Sequence, residues 1–535
     1  MERIPKLNNW IFITLAFALI SCGGNGSSGK DNSQPNVLFI IIDDMNVDVN
    51  CYGGPIKSPH IDQLAASGIK FNHAYVQQPV CAASRASFLT GLRPNSTGVD
   101  YPYSHYFLDE VMPKHGTISR YFAGSGYDVK QFGKVHHGIE DENPTFKPKS
   151  KGRYYNDSIN LSFENGGPKL PYEKSYDGDS EYADFKIADS VATAILAHDQ
   201  LSGPFFFVAG FKKPHLIFAA PEKYWDMYDR TEIPLPVPRN LAEGSPEYAV
   251  DQYYLNQYDW ETKDPQTPFT DVYARLIRHA YYASSSFVDA QVGLVLDALR
   301  ESGLEEETIV LFVSDHGFLM GEQNYWGKTN LFEKGVQVPL IVSWKDHIEA
   351  GMETKALVEA VDIFPTLVDM AGLEVPGYLE GNSFKPVIEE PSLPWKKGVL
   401  SQQPRGMVAD REGISMRTDR YRYTEWINTF TGEIIAQELF DYEVDPTESV
   451  NLAIYSENAK LLHELSTQLN TGWKSLLPEG VTNHSTNPLA PPSYAWGGEG
   501  KGRRAAWHKT FGGYEEEGWR EATERRMSYQ STYEK

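Results

Sequence analysis

Four short runs of consecutive apolar residues constrain the fold of this 535-residue chain more than any other feature of its sequence. Such runs are typical of strands that are buried on both faces of a parallel sheet. The apolar runs are 37–42, 205–208, 309–313 and 339–342, and stretches with apolar residues at helical spacing are 183–201, 273–300 and 357–371. Strands that alternate with helices predict an α/β fold, with a large mostly parallel sheet sandwiched by helices.

The pattern changes after about residue 390. Residues 391–394 are rich in proline and indicate a linker, and residues 413–426 alternate between apolar and polar side chains, as a hairpin does. We therefore expect a main domain over residues 35–390. A smaller antiparallel subdomain with a tail would then occupy residues 391–535.

The N-terminus is typical of a targeting segment. Residues 10–20 form an unbroken apolar run, which suits the core of a signal peptide and is too short to span a bilayer. Residues 19–22 resemble the processing box of bacterial lipoproteins, in which the cysteine is lipidated. We expect a signal peptide over 1–21, a lipid on Cys22 and a flexible tether over 22–34. Such a protein is exported to the periplasm or the cell surface. It is attached to a membrane, for example the outer membrane, only through its lipid. The alternative is ordinary secretion, with Cys22 removed along with the signal.

Composition restricts the partners of this protein. Its net charge is −23, and this argues against nucleic acid as a partner, because phosphate neutralisation requires an excess of Lys and Arg. Any anion must bind in a local cationic pocket, since salt screens the remaining charges beyond about 8–10 Å. The three cysteines are Cys22, Cys51 and Cys81. With Cys22 lipidated, at most one disulfide is possible, so the core must supply the stability.

Acidic side chains follow two of the predicted strands at the point where each strand ends. Asp43 and Asp44 follow the first run, and Asp315 and His316 follow the third. Ligand sites of open α/β sheets lie at the carboxyl ends of strands, and carboxylates gathered there repel one another unless a cation separates them. Oxygen ligands suit Ca²⁺ or Mg²⁺, whereas an imidazole suits Zn²⁺ or Mn²⁺ better. A single acid after a strand is more often a helix cap. Two strands that end alike predict a metal site.

Cys81 precedes a predicted helix over residues 84–92, and Arg85 lies one turn further on the same face. A helix N-terminus favours negative charge, and a neighbouring arginine lowers the pKa of a thiol or anchors an anion. This arrangement predicts a nucleophilic cysteine in an anion pocket. The alternative is an inert buried cysteine.

These motifs, in this order, resemble the type I sulfatases of the alkaline phosphatase superfamily, in which such a cysteine is oxidised to formylglycine. The likeness covers roughly residues 35–455 and rests first on residues 81–85 followed by Thr90-Gly91. Many family members have proline where this chain has Ala83. Further segments resemble the iduronate-2-sulfatase branch: 58–64, 77–80, 133–137, 213–215 and 326–328.

The resemblance implies an alkaline-phosphatase-like fold and a sulfuric ester hydrolase whose catalytic domain is residues 35–390. It implies that Cys81 is oxidised to formylglycine (3-oxoalanine) by a formylglycine-generating or an anaerobic sulfatase-maturating enzyme. One hydroxyl of the hydrated aldehyde attacks sulfur and the other later expels sulfate. One Ca²⁺ per chain offsets the charge of the sulfate and lowers the pKa of the attacking hydroxyl. Its ligands by resemblance are Asp43, Asp44, the oxidised Cys81, Asp315 and His316.

Three cationic side chains bind the reacting groups by the same resemblance. Arg85 orients the formylglycine diol, and Lys134 and Lys328 donate hydrogen bonds to the sulfate oxygens. Any one of these lysines alone would more often be a solvated surface residue. Their joint occurrence at matching positions favours the functional interpretation.

Two histidines transfer protons in the same scheme. His215 protonates the leaving alkoxide, and His137 takes the proton that allows sulfate to leave. His136 is the other candidate for the second role, and the spacing from Lys134 favours His137.

Two other functions remain open. A phosphomonoester or phosphodiester hydrolase of the same superfamily usually needs a second metal, and no clean second ligand set is recognisable in the sequence. A non-catalytic glycan-binding surface lipoprotein would be expected to lose Cys81 or the metal acids, and none is lost. The expected substrate is a sulfated carbohydrate of the kind met in polysaccharide degradation. The branch suggests a 2-O-sulfated uronic acid, and ulvan-type glycans stay open.

Overall fold

All four apolar runs form strands of one seven-stranded sheet. The computed structural model describes residues 34–97, 99, 116–137, 167–176, 178–250, 255, 257–405, 411–429 and 431–486. The strands are β1 (Asn36–Asp43), β2 (Ile69–Phe71), β3 (Ala74–Tyr75), β4 (Asp128–Gly133), β5 (Tyr172–Ser175), β6 (Phe205–Pro214), β7 (Phe218–Pro221), β8 (Thr308–Ser314), β9 (Leu319–Met320), β10 (Trp326–Gly327), β11 (Leu340–Ser343), β12 (Met352–Thr354), β13 (Val358–Glu359), β14 (Val399–Arg405), β15 (Arg411–Arg417), β16 (Tyr421–Asn428) and β17 (Ile434–Asp441). The helices are α1 (Pro59–Ala66), α2 (Cys81–Thr90), α3 (Pro94–Thr97), α4 (Ile118–Gly124), α5 (Ala183–Leu196), α6 (Glu222–Trp225), α7 (Asp271–Glu301), α8 (Glu333–Val336), α9 (Ile363–Met370), α10 (Lys385–Glu389) and α11 (Ala459–Asn470).

The large sheet has the strand order β12–β2–β11–β8–β1–β6–β4. Strands β8, β1, β6 and β4 run parallel to one another, as predicted for strands linked through helices. The prediction of a parallel strand at 339–342 is wrong, because β11 pairs antiparallel with β8 and β2. Only short elements lie between Ser314 and Leu340. The chain therefore enters β11 from the edge where β8 ends, and it runs back in the opposite direction.

Successive side chains of β1 enter two different cores, because strand side chains alternate between the faces of a sheet. The even-numbered residues from Leu38 to Ile42 pack with side chains of α5 and α7. The odd-numbered residues from Val37 to Ile41 pack with side chains of α2, α4 and α9. Helices therefore cover both faces, and this confirms the predicted sandwich and explains why β1 is apolar at consecutive positions.

The helical pattern predicts one helix well and overestimates two. Helix α7 includes the whole of the predicted stretch 273–300. Helix α5 ends at Leu196 and not at residue 201, since the Asp199 carboxylate accepts the N–H of Leu201 and favours a turn there. Helix α9 begins only at Ile363, because residues 358–359 pair with β3 as a strand.

The predicted C-terminal hairpin is part of a separate antiparallel sheet of four strands, in the order β14–β15–β16–β17. The turn between β15 and β16 closes through a hydrogen bond from the N–H of Thr418 to the carbonyl of Tyr421 at 2.8 Å. Helix α11 and Trp473 cover one face of this sheet and form a third core with Met416 and Leu439. The predicted antiparallel sheet after residue 390 is thereby confirmed.

Cys22, the predicted signal peptide and almost all of the predicted tether lie outside the described residues, as does the chain after residue 486. Within the described ranges, no helix combines the length and the apolar character needed to cross a membrane.

Candidate active site

The carboxyl ends of β1 and β8 lie side by side and bring together the acids that follow them. Ile42 is opposite Ser314 in the parallel register. The backbone N–H of Asp315 donates to the carbonyl of Ile42 at 2.9 Å, and the N–H of Asp44 donates to Oδ1 of Asp315 at 3.1 Å. The two acidic segments therefore form one cluster at this edge of the sheet, where α/β proteins bind ligands.

The backbone of Asp44 adopts a left-handed conformation with φ of 66°. Aspartate tolerates this region better than most residues, and such backbones are concentrated at functional sites. The buried hydroxyl of Tyr281 donates to the carbonyl of Asp44 at 2.8 Å and accepts the N–H of Asn46 at 2.9 Å. Tyr281 of α7 thus holds the turn that directs the Asp44 carboxylate.

Cys81 is the first residue of α2, and its side chain is buried in the middle of the acidic cluster. Its Sγ lies 3.4 Å from Oδ1 of Asp43 and 3.2 Å from Nε2 of His316, and it accepts a hydrogen bond from Nζ of Lys328 at 2.9 Å. This sulfur stands where the sulfatase resemblance places an oxygen of formylglycine. The nucleophile position and the acids therefore share one small buried volume.

The cluster fits a single divalent cation. One ligand atom each from Asp43, Asp44, Cys81 and His316 lies within 4.8 Å of the others, and all four residues are buried. Calcium–oxygen bonds of about 2.3–2.6 Å place opposite ligands at roughly this separation. Oδ2 of Asp44 is buried with no hydrogen-bond partner among the described residues, so it has a lone pair to offer.

The carboxylate of Asp315 lies beside this group. Its Oδ1 is 3.5 Å from Nε2 of His316, and its Oδ2 accepts a hydrogen bond from Nε of Arg85 at 2.8 Å. Nδ1 of His316 faces the carbonyl of Gly317 at 2.9 Å, which leaves its Nε2 directed at the cluster.

Three cationic side chains surround the acids and Cys81. Lys134 donates to Oδ2 of Asp43, and Lys328 donates to Oδ1 of Asp44 at 2.7 Å. Nη2 of Arg85 is 3.7 Å from Oδ1 of Asp43 and has no hydrogen-bond partner among the described residues. Three cationic groups are therefore concentrated at one point of an otherwise acidic protein, where they are available to an anionic substrate.

These cations decide the charge state at the nucleophile position. Burial alone raises the pKa of the Cys81 thiol, but Lys134, Lys328 and His316 outweigh it and hold the pKa well below its usual value. The pocket therefore stabilises negative charge where Cys81 lies.

Two of the predicted histidines reach the same cluster. His137 lies close enough to Cys81 to help lower the pKa of its thiol, and burial holds the pKa of His137 below its usual value, which favours a neutral ring that can accept a proton. His215 directly follows β6, and its charge helps to lower the pKa of Asp43 against the opposing effect of burial. Nδ1 of His215 is 2.7 Å from the carbonyl of Leu216.

The structure brings together every predicted site residue that it describes. They are Asp43, Asp44, Cys81, Arg85, Lys134, His137, His215, Asp315, His316 and Lys328. The sequence analysis missed Tyr281 and a second residue, Asp184, whose carboxylate contacts the strand end before His215. Asp184 lies on the apolar face of a predicted helix, and a charge in such a position is a signal that could have identified it.

If the cluster holds a divalent cation, Asp44→Asn is expected to weaken its binding by at least about 10–100-fold, because loss of even an outer-shell partner of a metal ligand typically costs that much. Asparagine keeps the left-handed backbone but removes the charge. Asp48→Asn is the matched control, since Asp48 is buried nearby and pairs with Lys334 at 2.9 Å. Calorimetric titration of the chelated proteins with Ca²⁺ measures both affinities. An unchanged affinity in Asp44→Asn would exclude Asp44 as a ligand.

Acids, cations and a buried cysteine at the strand ends of this sheet define a hydrolase of the alkaline phosphatase superfamily. The chain belongs to the sulfatase family, whose model, described as Sulfatase, matches residues 35–373. The model described as N-sulphoglucosamine sulphohydrolase, C-terminal, matches residues 321–474. The protein is therefore a sulfuric ester hydrolase of the formylglycine-dependent type.

Known proteins resemble the chain over most of its length. Iduronate 2-sulfatase of Homo sapiens is 29% identical over 547 residues, which cover 85% of this chain and 98% of that protein. An ulvan-active sulfatase of Formosa agariphila is 26% identical, with 86% of each chain covered. A solved structure in complex with its substrate D-glucosamine-2-N,6-O-disulfate has a TM-score of 0.65 at 21% identity, with 82% of this chain and 98% of that chain covered. At that identity, the structural likeness shows the fold alone.

Proposed function

We propose that this sulfatase hydrolyses a sulfate ester on a carbohydrate, with a 2-O-sulfated uronic acid as the first candidate substrate. One observation carries the proposal, which is the buried Sγ of Cys81 at 2.9 Å from the Lys328 ammonium and 3.2 Å from His316, in a pocket that stabilises an anion. The match along 98% of human iduronate 2-sulfatase supports the uronic acid. The match to an ulvan-active sulfatase supports sulfated polysaccharides more widely.

The cationic side chains bind and orient the sulfate group. Lys134 hydrogen-bonds to Asp43 and Lys328 hydrogen-bonds to Asp44, beside Cys81. When substrate binds, both ammonium groups donate hydrogen bonds to the sulfate oxygens, which gain charge as the ester bond breaks. Arg85 orients the nucleophile through its Nη2, while its Nε stays on Asp315. Each ammonium and guanidinium is already in place before substrate arrives, so little reorganisation opposes the reaction.

Two groups that the protein acquires supply the remaining chemistry. Oxidation of Cys81 by a formylglycine-generating or anaerobic sulfatase-maturating enzyme provides a hydrated aldehyde, with one hydroxyl to attack sulfur and one to release sulfate. Asp43, Asp44, Asp315, His316 and the oxidised Cys81 would hold one Ca²⁺, which would offset the charge of the sulfate and lower the pKa of the attacking hydroxyl.

The two histidines divide the proton transfers between them. A carbonyl oxygen can only accept, so the ring nitrogen that faces Leu216 O must carry a hydrogen, and the transferable proton of His215 is on Nε2. We assign this proton to the alkoxide that leaves. His137, held neutral beside Cys81, takes the proton that allows sulfate to leave.

The N-terminal sequence supports an anchored position for this enzyme. Cys22 carries the lipid, and residues 22–34 tether the catalytic domain to the membrane from the periplasm or the cell surface. Metabolic labelling with a fatty-acid probe detects the lipid, and its absence from Cys22 would exclude the anchor.

Measurement of released sulfate across a substrate panel tests the proposal. The panel contains 2-O-sulfated uronic acid disaccharides from heparin and dermatan, ulvan oligosaccharides, 6-O-sulfated glucosamine and the matching phosphate esters. We expect kcat/KM for one class of sulfated sugar to exceed that for every phosphate ester by at least about 100-fold. The reason is that a sulfatase site binds the transition state of sulfate ester hydrolysis more tightly than that of phosphate ester hydrolysis.

Mass spectrometry of the Cys81 peptide accompanies this assay, because only protein that carries formylglycine at position 81 can test the proposed sulfatase activity. Faster phosphate release, together with two tightly bound metals per chain, would favour the phosphatase. Oxidised protein that binds sulfated glycans but releases nothing from any of them would favour the glycan-binding alternative.

A further inference from the structure

His215 lies in a turn directly after β6, whose regular pairing in the large sheet is interrupted before the strand ends. The register of β6 with β1 passes from Gly210 directly to Pro214, and its register with β4 ends at Gly210. Lys212 and Lys213 therefore lie where the regular pairing of β6 with β1 is interrupted, and beyond its pairing with β4. Backbone amides inside a protein require an acceptor, and at this strand end a side-chain group supplies it.

The carboxylate of Asp184 is that group. It lies in the first turn of α5 and is only 2% exposed. Its Oδ1 accepts the N–H of Lys212 at 2.9 Å, and its Oδ2 accepts the N–H of Lys213 at 2.8 Å. Both bonds are charge-assisted and each uses a different oxygen, so the carboxylate fixes the orientation of the strand end as well as its position.

The side chain of Lys213 closes the turn from the other end. Its Nζ donates to the carbonyl of His215 at 3.1 Å and to the carbonyl of Ile217 at 2.7 Å. The N–H of His215 donates to the carbonyl of Lys212 at 3.0 Å. The backbone on both sides of His215 is thus tied to Asp184 or to Lys213.

We infer that Asp184 is a positioning residue for His215, and that Lys213 completes the same turn. The inference rests on the proposed function, in which His215 donates a proton from Nε2. Asp184 holds the strand end that lies beside Asp43 and that carries His215, and the hydrogen bond of Nδ1 to Leu216 sets the direction of the ring. Without this support, the ring would leave the line along which the leaving oxygen takes its proton.

The expected effect of Asp184→Ala is a selective loss of proton donation. A displacement of about 1 Å in a catalytic group costs on the order of 10²-fold. We expect kcat on a sugar sulfate, whose alkoxide needs the proton, to fall about 10–100-fold. On 4-nitrophenyl sulfate, whose phenolate leaves without a proton, kcat should fall less than about threefold.

A double-mutant cycle with His215→Ala isolates the effect on His215. If Asp184 acts through His215, the double variant loses no more on the sugar sulfate than His215→Ala alone. Asp289→Ala is the matched control, because Asp289 is 1% exposed and also accepts two consecutive backbone amides, those of His60 and Ile61 at 3.1 and 2.8 Å. The control should retain both activities within about threefold.

A crystal structure of the Asp184→Ala enzyme tests the geometry without reference to activity. We expect the imidazole of His215 to move by about 1 Å or more, or to lose its hydrogen bond to Leu216. Asp184→Asn, which keeps one acceptor oxygen, should show a smaller displacement and serves where the alanine variant does not fold.

Additive losses in the cycle, equal losses on both substrates or an unmoved imidazole would overturn the positioning role. A parent enzyme that releases no sulfate from any substrate would instead contradict the proposed function. In that case, the crystal structures still decide whether Asp184 places His215.

Discussion

Cys81→Ala should reduce sulfate release by at least about 10⁴-fold, because the nucleophile acts as a unit with the groups around it. Alanine suits the first turn of α2 and removes only the Sγ atom, so the fold should persist. The three cations that surround Cys81 remain, and they continue to bind sulfate without turning it over. The measurement is multiple-turnover release of sulfate from the best sugar substrate of the panel.

Cys51→Ala is the control for this change. Cys51 is the other cysteine among the described residues, and it is half-buried. Its backbone N–H donates a hydrogen bond to Oδ1 of Asp62 at 2.9 Å. Its removal should leave activity within about twofold, as for most changes away from a site. Mass spectrometry should find formylglycine at position 81 of the active enzyme. Full turnover by protein proven to carry unmodified Cys81 would contradict this account.

His215→Ala should depress hydrolysis of a sugar sulfate by about 10²–10⁴-fold, the usual contribution of a positioned general acid. The loss should depend on the leaving group, because an alkoxide leaves poorly without a proton. An activated aryl sulfate releases a stable phenolate and should lose less than about tenfold. Parallel measurements of kcat on a sugar sulfate and on 4-nitrophenyl sulfate give the two losses.

The matched control for this histidine is His73→Ala. Nδ1 of His73 lies 3.0 Å from the carbonyl of Lys355, an arrangement like that of His215 with Leu216. His73 lies between β2 and β3, so its removal tests the cost of losing a carbonyl-bonded imidazole elsewhere in the fold. Equal losses on both substrates in His215→Ala would show that His215 binds sulfate or shapes the pocket.

Local patterns were enough to predict the layers of the fold. Continuous apolar runs predicted β1, β6 and β8 because burial on both faces leaves no polar position in a central strand. The same patterns did not predict the direction of β11. The direction of a strand depends on the end of the sheet from which the preceding loop enters it. A run of four apolar residues does not indicate that direction, because it is equally apolar when read from either end.

The chemistry of the site divides in a similar way. The sequence by itself determined which residue types follow each strand and which lie at the N-terminus of α2. Residues 81–85 are close together along the chain, so their relative positions on a helix follow directly from the sequence. Only the tertiary structure decided that Lys328 lies 2.9 Å from Cys81 across 247 positions of sequence, and that His137 lies close enough to Cys81 to affect the pKa of its thiol. Only the tertiary structure placed Tyr281 on the Asp44 turn and Asp184 on the strand end before His215. Sequence periodicity records whether a side chain is buried, whereas the identity of its partner depends on strand order and helix packing, which bring distant segments together.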